Sequence, residues 1–299
     1  MVHWPFLQEI KFWANNLTGP LPSLGWYFSN AHHLNNIDLQ SNEMTGSIPP
    51  EVWQPQPPRS TKLTKLALGD NPLRGTLSSL VGNLVDLKGL FLFQNQLTGS
   101  LPDELGNLDS VTQFSMYENN LQGSLPSSLS QWNSIENIWL YSNNFTGSLP
   151  TMLATFHDTL VDLELSQNRF TGELPSELYR LTNLQILLLD QNLLLGPISP
   201  LVGRFGSRIN MLKLSANRFT GSVPMQVGNL THLAMLWLHD TDLIGTMPAA
   251  VCALEGSAGS VLEQLTANCA VNQTGQAQLT CTCCTMCCNA AGTYCLSTR

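Results

Sequence analysis

Apolar and polar residues follow one recurring frame along most of the chain, L-x-x-L-x-L-x-x-N, which returns at intervals of 24 to 29 residues. Thr241 closes the tenth copy, and asparagine closes the other nine: Asn15, Asn42, Asn71, Asn95, Asn119, Asn143, Asn168, Asn192 and Asn217. The last two leucines of the frame are two residues apart, so both point to the same side of a short strand. One strand cannot bury that side alone, and the pattern therefore predicts repeats that stack on one another.

Each copy continues with a turn signature, as in NQLTGSLP (95–102) and NRFTGSVP (217–224). An asparagine amide both donates and accepts hydrogen bonds, so it is predicted to satisfy backbone groups where the chain leaves the strand. The glycine permits an unusual φ, and the proline that usually follows favours an extended or 3₁₀ segment. We predict ten full repeats, and LEQLTANC (262–269) begins an incomplete eleventh.

This frame, with its T-G-x-[IL]-P extension, resembles the plant-specific type of leucine-rich repeat, as in receptor-like ectodomains and polygalacturonase-inhibiting proteins. The resemblance covers residues 7 to about 250. It implies an α/β repeat solenoid, a horseshoe with a concave parallel sheet. On this basis residues 1–248 are expected to form the repeat domain and residues 249–299 a C-terminal cap.

Large aromatic residues occupy positions that alternate with the buried leucines, and these positions are predicted to project from the concave face. They are Phe91, Phe93, Tyr117, Trp139 and Tyr141. Ser115 is expected to leave a gap of about 10 Å between Phe91 and Trp139, since adjacent strands lie ~4.8 Å apart, and a flat ring can enter such a gap. Exposed apolar patches of this size often mark interfaces, so we predict ligand binding here. The alternative is that the rings only stabilise neighbouring strands.

Acidic residues follow on the same predicted face, at Asp162, Glu164 and Asp190. A second apolar cluster adjoins them: Ile186, Leu188, Met211, Met235 and Trp237. Of these residues, Glu164, Asp190 and Trp237 are predicted to contact the ligand. Paired carboxylates can serve as acid and base in glycoside hydrolysis. An open, wet sheet face is not expected to separate their pKa values, however, and the sequence predicts neither an enzyme nor a cofactor.

The composition narrows the range of partners. Charged residues make up 11% of the 299-residue chain and the formal net charge is −8. Without a cluster of lysine and arginine, a nucleic-acid partner is not expected. No apolar run in the sequence is long enough to predict a membrane-spanning segment.

All eight cysteines lie in the last 48 residues: Cys252, Cys269, Cys281, Cys283, Cys284, Cys287, Cys288 and Cys295. The run CTCCTMCC (281–288) can chelate zinc or form disulfides. The even count and the glycosylation sequons favour disulfides in an oxidising compartment, with no metal. Eight cysteines allow 105 connectivities, although adjacent cysteines should bond to partners elsewhere. A Cys-rich module in this place resembles the C-terminal caps of algal leucine-rich repeat proteins.

Four N-x-[ST] sequons predict N-glycosylation, at Asn16, Asn144, Asn229 and Asn272. The opening residues MVHWPF form neither a signal peptide nor the Cys-containing N-terminal cap that the family resemblance implies. We therefore expect a truncated chain from a protein that is extracellular or at the cell surface.

These observations predict a non-catalytic, receptor-like module that binds a protein, peptide or glycan on its concave face. The alternative is a secreted inhibitor of a glycan-degrading enzyme, which would use the same face. A structural role at a cell wall or an ice surface, through the outward threonine column, is disfavoured because Arg74, Gln122, Leu195 and Ile244 interrupt that column.

Overall fold

The structure is a computed structural model that describes residues 6–21, 33–53, 63–255, 262–269, 278–289 and 295–297. The chain divides into two compact units, Met1–Phe145 and Thr146–Arg299. Both units are built from the predicted repeat: a strand of three residues, a turn, a second short strand and a 3₁₀ segment.

In the first unit, six strands pair side by side and parallel in a main ladder, with the middle residue of each strand buried. They are Glu9–Lys11, Asn36–Asp38, Lys65–Ala67, Gly89–Phe91, Gln113–Ser115 and Asn137–Trp139. A second ladder contains Thr18–Pro20, Glu43–Ser47, Leu73–Thr76, Gln96–Gly99, Asn120–Gly123 and Asn144–Phe145. The 3₁₀ helices are Pro50–Trp53, Ser79–Asn83, Asp103–Asn107 and Ser127–Gln131.

The second unit repeats this arrangement. Its main ladder contains Asp162–Glu164, Ile186–Leu188, Met211–Lys213, Met235–Trp237, Gln264–Ala267, Met286–Cys288 and Cys295–Ser297. Its second ladder contains Thr171–Gly172, Leu193–Pro197, Arg218–Gly221 and Asp242–Leu243, and a separate pair joins Gly245–Thr246 to Leu279–Thr280. The helical segments are the 3₁₀ helices Thr151–Phe156, Ser176–Arg180, Pro200–Phe205 and Met225–Asn229, and the α-helix Ala249–Cys252.

The frame asparagines satisfy the backbone at each turn, which confirms the role predicted for them. The amide nitrogen of Asn119 donates to the carbonyls of Met116 at 3.1 Å, Tyr117 at 3.2 Å and, in the preceding repeat, Leu92 at 2.9 Å. Its oxygen accepts from the Leu97 N–H at 3.0 Å. The same four bonds recur at Asn71, Asn95, Asn143, Asn192 and Asn217. One side chain thus joins two consecutive repeats.

Positive φ angles occur at two positions of every repeat. The glycine of the turn signature has the predicted unusual φ, for example 81° at Gly99. The residue before the frame asparagine also has a positive φ, which the sequence pattern did not predict because none of these residues is glycine. They are Ala14, Ser41, Asp70, Gln94, Glu118, Ser142, Gln167, Gln191, Ala216 and Asp240. In nine repeats the hydrogen bonds of the asparagine that follows hold this conformation in place, and after Asp240 the Thr241 hydroxyl donates to the Leu238 carbonyl at 2.7 Å.

The C-terminal region is rich in disulfides, as predicted. The bonds are Cys252–Cys283, Cys269–Cys287, Cys281–Cys284 and Cys288–Cys295, and no cysteine is free. The incomplete eleventh repeat contributes the strand Gln264–Ala267, and Met286–Cys288 adds a further parallel rung that the sequence frame did not predict. Cys295–Ser297 then pairs antiparallel and ends the ladder. Among the residues described, no helix has both the length and the apolar character needed to cross a membrane.

Candidate ligand-binding surface

Three of the predicted site residues form a continuous ring stack in the first unit. Phe93, Tyr117 and Tyr141 each lie two residues beyond a strand of the main ladder, at the same position of three consecutive repeats. The centroids of Phe93 and Tyr117 are 4.8 Å apart with the ring planes at 8°. Those of Tyr117 and Tyr141 are 4.4 Å apart with the planes at 9°. The spacing follows the distance between adjacent strands, ~4.8 Å.

Mutual stacking determines which part of these rings a ligand can meet. Both faces of the Tyr117 ring lie against neighbouring rings. The Phe93 ring occupies space left by Gly69, where an added Cβ would come within 2.7 Å of the ring. All three rings are half-buried. At Phe93 and Tyr117 the stack therefore presents ring edges to solvent, and an aromatic edge carries positive partial charge.

The other two aromatic residues flank Ser115 in the adjacent row, and this arrangement corrects the predicted gap. Phe91, Ser115 and Trp139 are in register on three neighbouring strands. Ser115 is only 1% exposed, so no space open to water separates the two aromatic residues at its position. The expectation that a flat ring can enter there is wrong for this conformation, because Ser115 is covered and no open gap reaches it.

Phe91 lies next to a charged pair. Its ring lies over Gly89, where an added Cβ would be 2.6 Å from the ring. The Lys65 ammonium is 5.6 Å from the ring centroid and 2.7 Å from Asp38 Oδ2. Burial acts to raise the pKa of Asp38, but hydrogen bonds from Lys65 and Gln40 outweigh it and lower this pKa below its usual range. The lysine charge is therefore neutralised by a buried carboxylate.

Polar side chains lie beside the ring stack. Gln94 and Glu118 directly follow Phe93 and Tyr117 in the chain, and Gln94 Nε2 donates to Glu118 Oε2 at 3.1 Å. A shallow depression of about 280 Å³ is lined by Asn42, Asp70, Asn71, Pro72, Gln94, Asn95 and Gln96. The lining asparagines are buried and bond the turns, so the exposed Asp70 and Gln94 are lining groups that can hydrogen-bond a ligand.

The acidic residues lie in the second unit. Asp162 and Asp190 are each 8% exposed, and the Ser166 hydroxyl donates to Asp190 Oδ1 at 2.6 Å. Burial, together with the charge of Asp162, raises the pKa of Glu164 to about 7. Asp190 adds to this rise, and Lys213 opposes it. The expectation that the open sheet leaves the carboxyl pKa values unperturbed is therefore wrong for Glu164, because this side chain is partly buried beside the charge of Asp162.

In the same unit, Trp237 contacts one residue from each of its two neighbouring strands. The Lys213 ammonium lies 3.7 Å from its ring centroid, and its indole N–H donates to Gln264 Oε1 at 3.2 Å. His239 Nδ1 lies 2.7 Å from the Thr266 hydroxyl oxygen, and burial lowers the pKa of this histidine. Sequence reasoning did not identify Lys213 or Gln264 as partners of Trp237. Lys213 is in register with Trp237 on one adjacent strand, and Gln264 is in register with Met235 on the other. This placement in the repeat frame is the signal that could have found them.

The sequons differ in their surroundings. Asn16 and Asn229 are exposed and Asn144 is half-buried, whereas Asn272 lies outside the described residues. The amide nitrogen of Asn229 packs against the preceding repeat, 3.0 Å from where a Cβ on Gly203 would lie. A glycan at Asn229 would have to displace this contact, so the exposed Asn16 is the most accessible of the three acceptors.

The family match and the similar solved structures agree with the repeat fold described above. The Leucine Rich Repeat family matches residues 86–108 and 159–181. The plant peptide hormone receptor RGFR1 in complex with RGF2 is 28% identical, with a TM-score of 0.78 over 92% of this chain and 40% of that chain. A second similar structure is the ectodomain of the receptor kinase GASSHO1/SCHENGEN3 from Arabidopsis thaliana, in complex with CASPARIAN STRIP INTEGRITY FACTOR 2. It is 30% identical, with a TM-score of 0.71 over 83% of this chain and 32% of that chain.

A plant ice-binding protein shares 23% identity and a TM-score of 0.70, over 85% of this chain and 79% of that one; this similarity concerns the fold alone. No curated protein matches the chain. The chain spans less than half the length of the two receptor structures.

Proposed function

We propose that this chain, a leucine-rich repeat protein, is a non-catalytic, extracellular, receptor-like module that binds a peptide on the face of its parallel sheet. The observation that carries the proposal is the aromatic surface of the first unit, formed by Phe91, Phe93, Tyr117, Trp139 and Tyr141. It brings side chains from three consecutive repeats together.

The aromatic surface is built on a rigid frame. Its residues lie on or beside hydrogen-bonded strands, and the amides of Asn95, Asn119 and Asn143 join the turns beneath them. Rings that are already ordered lose little conformational entropy when a ligand covers them. Aromatic residues in such settings contribute a large share of the binding energy at interfaces.

The orientation of the rings favours a peptide over a glycan. A sugar ring packs against the flat face of an aromatic side chain, and the faces within the Phe93–Tyr117–Tyr141 stack are occupied by one another. The exposed edges carry positive partial charge and favour electron-rich groups. A peptide backbone offers a carbonyl oxygen at every residue. The receptors similar in fold include a peptide hormone receptor, which supports the same ligand class.

Two further features support the non-catalytic and extracellular parts of the proposal. Asp162 and Asp190 are each 8% exposed, so the second carboxylate that glycoside hydrolysis needs beside Glu164 is not open to a substrate. Four disulfides involving all eight cysteines are typical of proteins that fold in oxidising compartments.

The test is selection from a phage library that displays random 12-residue peptides. We expect sequences to be enriched on the parent protein and to lose binding to a Trp139→Ala, Tyr141→Ala double variant that far-ultraviolet circular dichroism shows to be folded at the assay temperature. The control is Ser100→Ala, Ser124→Ala, two exposed residues that follow strands of the second ladder. This control should bind like the parent.

Two results would overturn the proposal. The first is enriched peptides that bind the double variant as tightly as the parent. The second is a library without enrichment, together with binding of an oligosaccharide such as an oligogalacturonide or cellohexaose. That second outcome would restore a glycan as the ligand.

A further inference from the structure

We infer that Ser115 is a ligand-contacting residue at the centre of the aromatic surface, and that its hydroxyl donates a hydrogen bond to a main-chain carbonyl of the bound peptide. This inference rests on the proposed function and names a specific contact within it.

The starting observation is a buried hydroxyl without a partner. Ser115 is 1% exposed, and its Oγ has no hydrogen-bond partner among the described residues. Buried side-chain oxygens are bonded in the great majority of cases, and an exception calls for a physical reason. A buried hydroxyl without a hydrogen-bond partner lowers the stability of the ligand-free protein. Such a loss is expected where the hydroxyl bonds a ligand instead.

Packing alone does not require a hydroxyl at this position. Ala67 occupies the same place in its strand two rungs earlier, and Phe91 lies between the two small residues in register. Ala67 is completely buried. An alanine therefore fits beside Phe91 on one side, while the chain has a serine on the other. The difference between the two positions is the hydroxyl group.

A ligand reaches Ser115 when one of the flanking rings moves. The Phe91 ring lies over Gly89 of its own strand, in space that only glycine leaves open. The in-register neighbour on the other side is Trp139, whose indole is half-buried. Rotation of this indole would open the space of about 10 Å that two strand spacings provide. Binding then selects the open conformation from those already accessible to the protein.

The surroundings of Ser115 define the chemistry of the group that enters. The serine hydroxyl is a donor as well as an acceptor, and the ring edges of the neighbouring stack favour an electron-rich partner. The cation nearest to Phe91, Lys65, is already neutralised by Asp38 at 2.7 Å. A neutral acceptor is therefore favoured over a carboxylate, and the carbonyl of an extended peptide has this character.

The experiment compares Ser115→Ala with Ala67→Ser, using peptides enriched on the parent protein. Ser115→Ala is expected to weaken binding about two- to tenfold, the effect of one hydrogen bond. The same variant should melt at a higher temperature than the parent because it removes the buried hydroxyl. Ala67→Ser, the matched control, should melt at a lower temperature and bind within twofold of the parent.

A second measurement identifies the ligand atom. Each amide of an enriched peptide is replaced in turn by a thioamide, whose sulfur accepts hydrogen bonds more weakly than oxygen. One replacement should weaken binding to the parent and have no effect on Ser115→Ala.

The outcomes separate the two proposals. If Ser115→Ala melts higher yet binds every enriched peptide as tightly as the parent, the hydroxyl plays no part in recognition and the inference fails alone. If no peptide is enriched on the parent, the proposed function fails and the inference fails with it.

Discussion

The rings of Tyr117 and Tyr141 lie face to face, with centroids 4.4 Å apart and planes at 9°. These residues are 24 positions apart in the chain, one repeat, and the parallel register of the strands brings them together. Since Phe93 covers the other face of Tyr117, the middle ring has two stacking partners and contributes to stability as well as to the surface that a ligand meets.

Tyr117→Ala should therefore destabilise the protein more than the loss of an ordinary half-buried tyrosine. Two stacked pairs are lost, at about 0.5–1.5 kcal/mol each beyond the area effect. Urea unfolding followed by far-ultraviolet circular dichroism would measure the change, with Tyr117→Phe as the control that keeps the ring. An unchanged midpoint for Tyr117→Ala would show that the stack adds nothing to stability.

Asn143→Ala should lower the free energy of unfolding more than Trp139→Ala. The Asn143 amide bonds three carbonyls, at 2.9, 3.2 and 3.3 Å, and accepts from the Leu121 N–H at 3.0 Å. Each buried group left unpaired costs about 1–3 kcal/mol. Trp139 is half-buried, so its removal exposes less of the core. Chemical denaturation of both variants tests this ordering, and equal losses would assign Trp139 a structural role.

Glu164 should make the protein less stable as the pH rises from about 4.5 towards 7. Its pKa in the folded protein is raised to about 7 from the usual 4.5, so in this range the folded state holds a proton that the unfolded state has released. By linkage, the free energy of unfolding falls with pH over this window. The full shift corresponds to about 3 kcal/mol, and solvent screening of a half-buried group reduces it.

Glu164→Gln should flatten that decline, because glutamine does not titrate. Unfolding of the parent and the variant at pH 4.5, 5.5 and 7 measures the difference, with the exposed Glu173→Gln as the control. Parallel pH profiles for the parent and Glu164→Gln would contradict the raised pKa.

Thiol titration of the denatured, unreduced protein should detect close to zero free thiols. The four disulfides use every cysteine in the chain. Reduction before denaturation should release eight. Eight titratable thiols without reduction, accompanied by stoichiometric zinc, would instead assign the region to metal binding in a reducing compartment.

Several features of the fold could be predicted from the sequence because they depend on residues close together in one repeat. The spacing of leucines such as Leu90 and Leu92 predicts the strand, and Asn95 predicts the turn that follows. Glycines such as Gly99 predict a positive φ. The period of the frame then predicts that equivalent residues of successive repeats are neighbours. The sequence therefore predicts the aromatic surface as a group of neighbouring residues.

The tertiary structure decided how those residues meet, since side-chain direction depends on the size of neighbours in other repeats. Gly69 and Gly89 leave the space that the Phe93 and Phe91 rings occupy, and Ser115 becomes buried between larger neighbours. The raised pKa of Glu164 arises from burial and from Asp162 together, and disulfide connectivity depends on which cysteines the chain brings within bonding distance. Each of these features joins atoms far apart in sequence, so the repeat pattern predicts that the groups are close without predicting which atoms make contact.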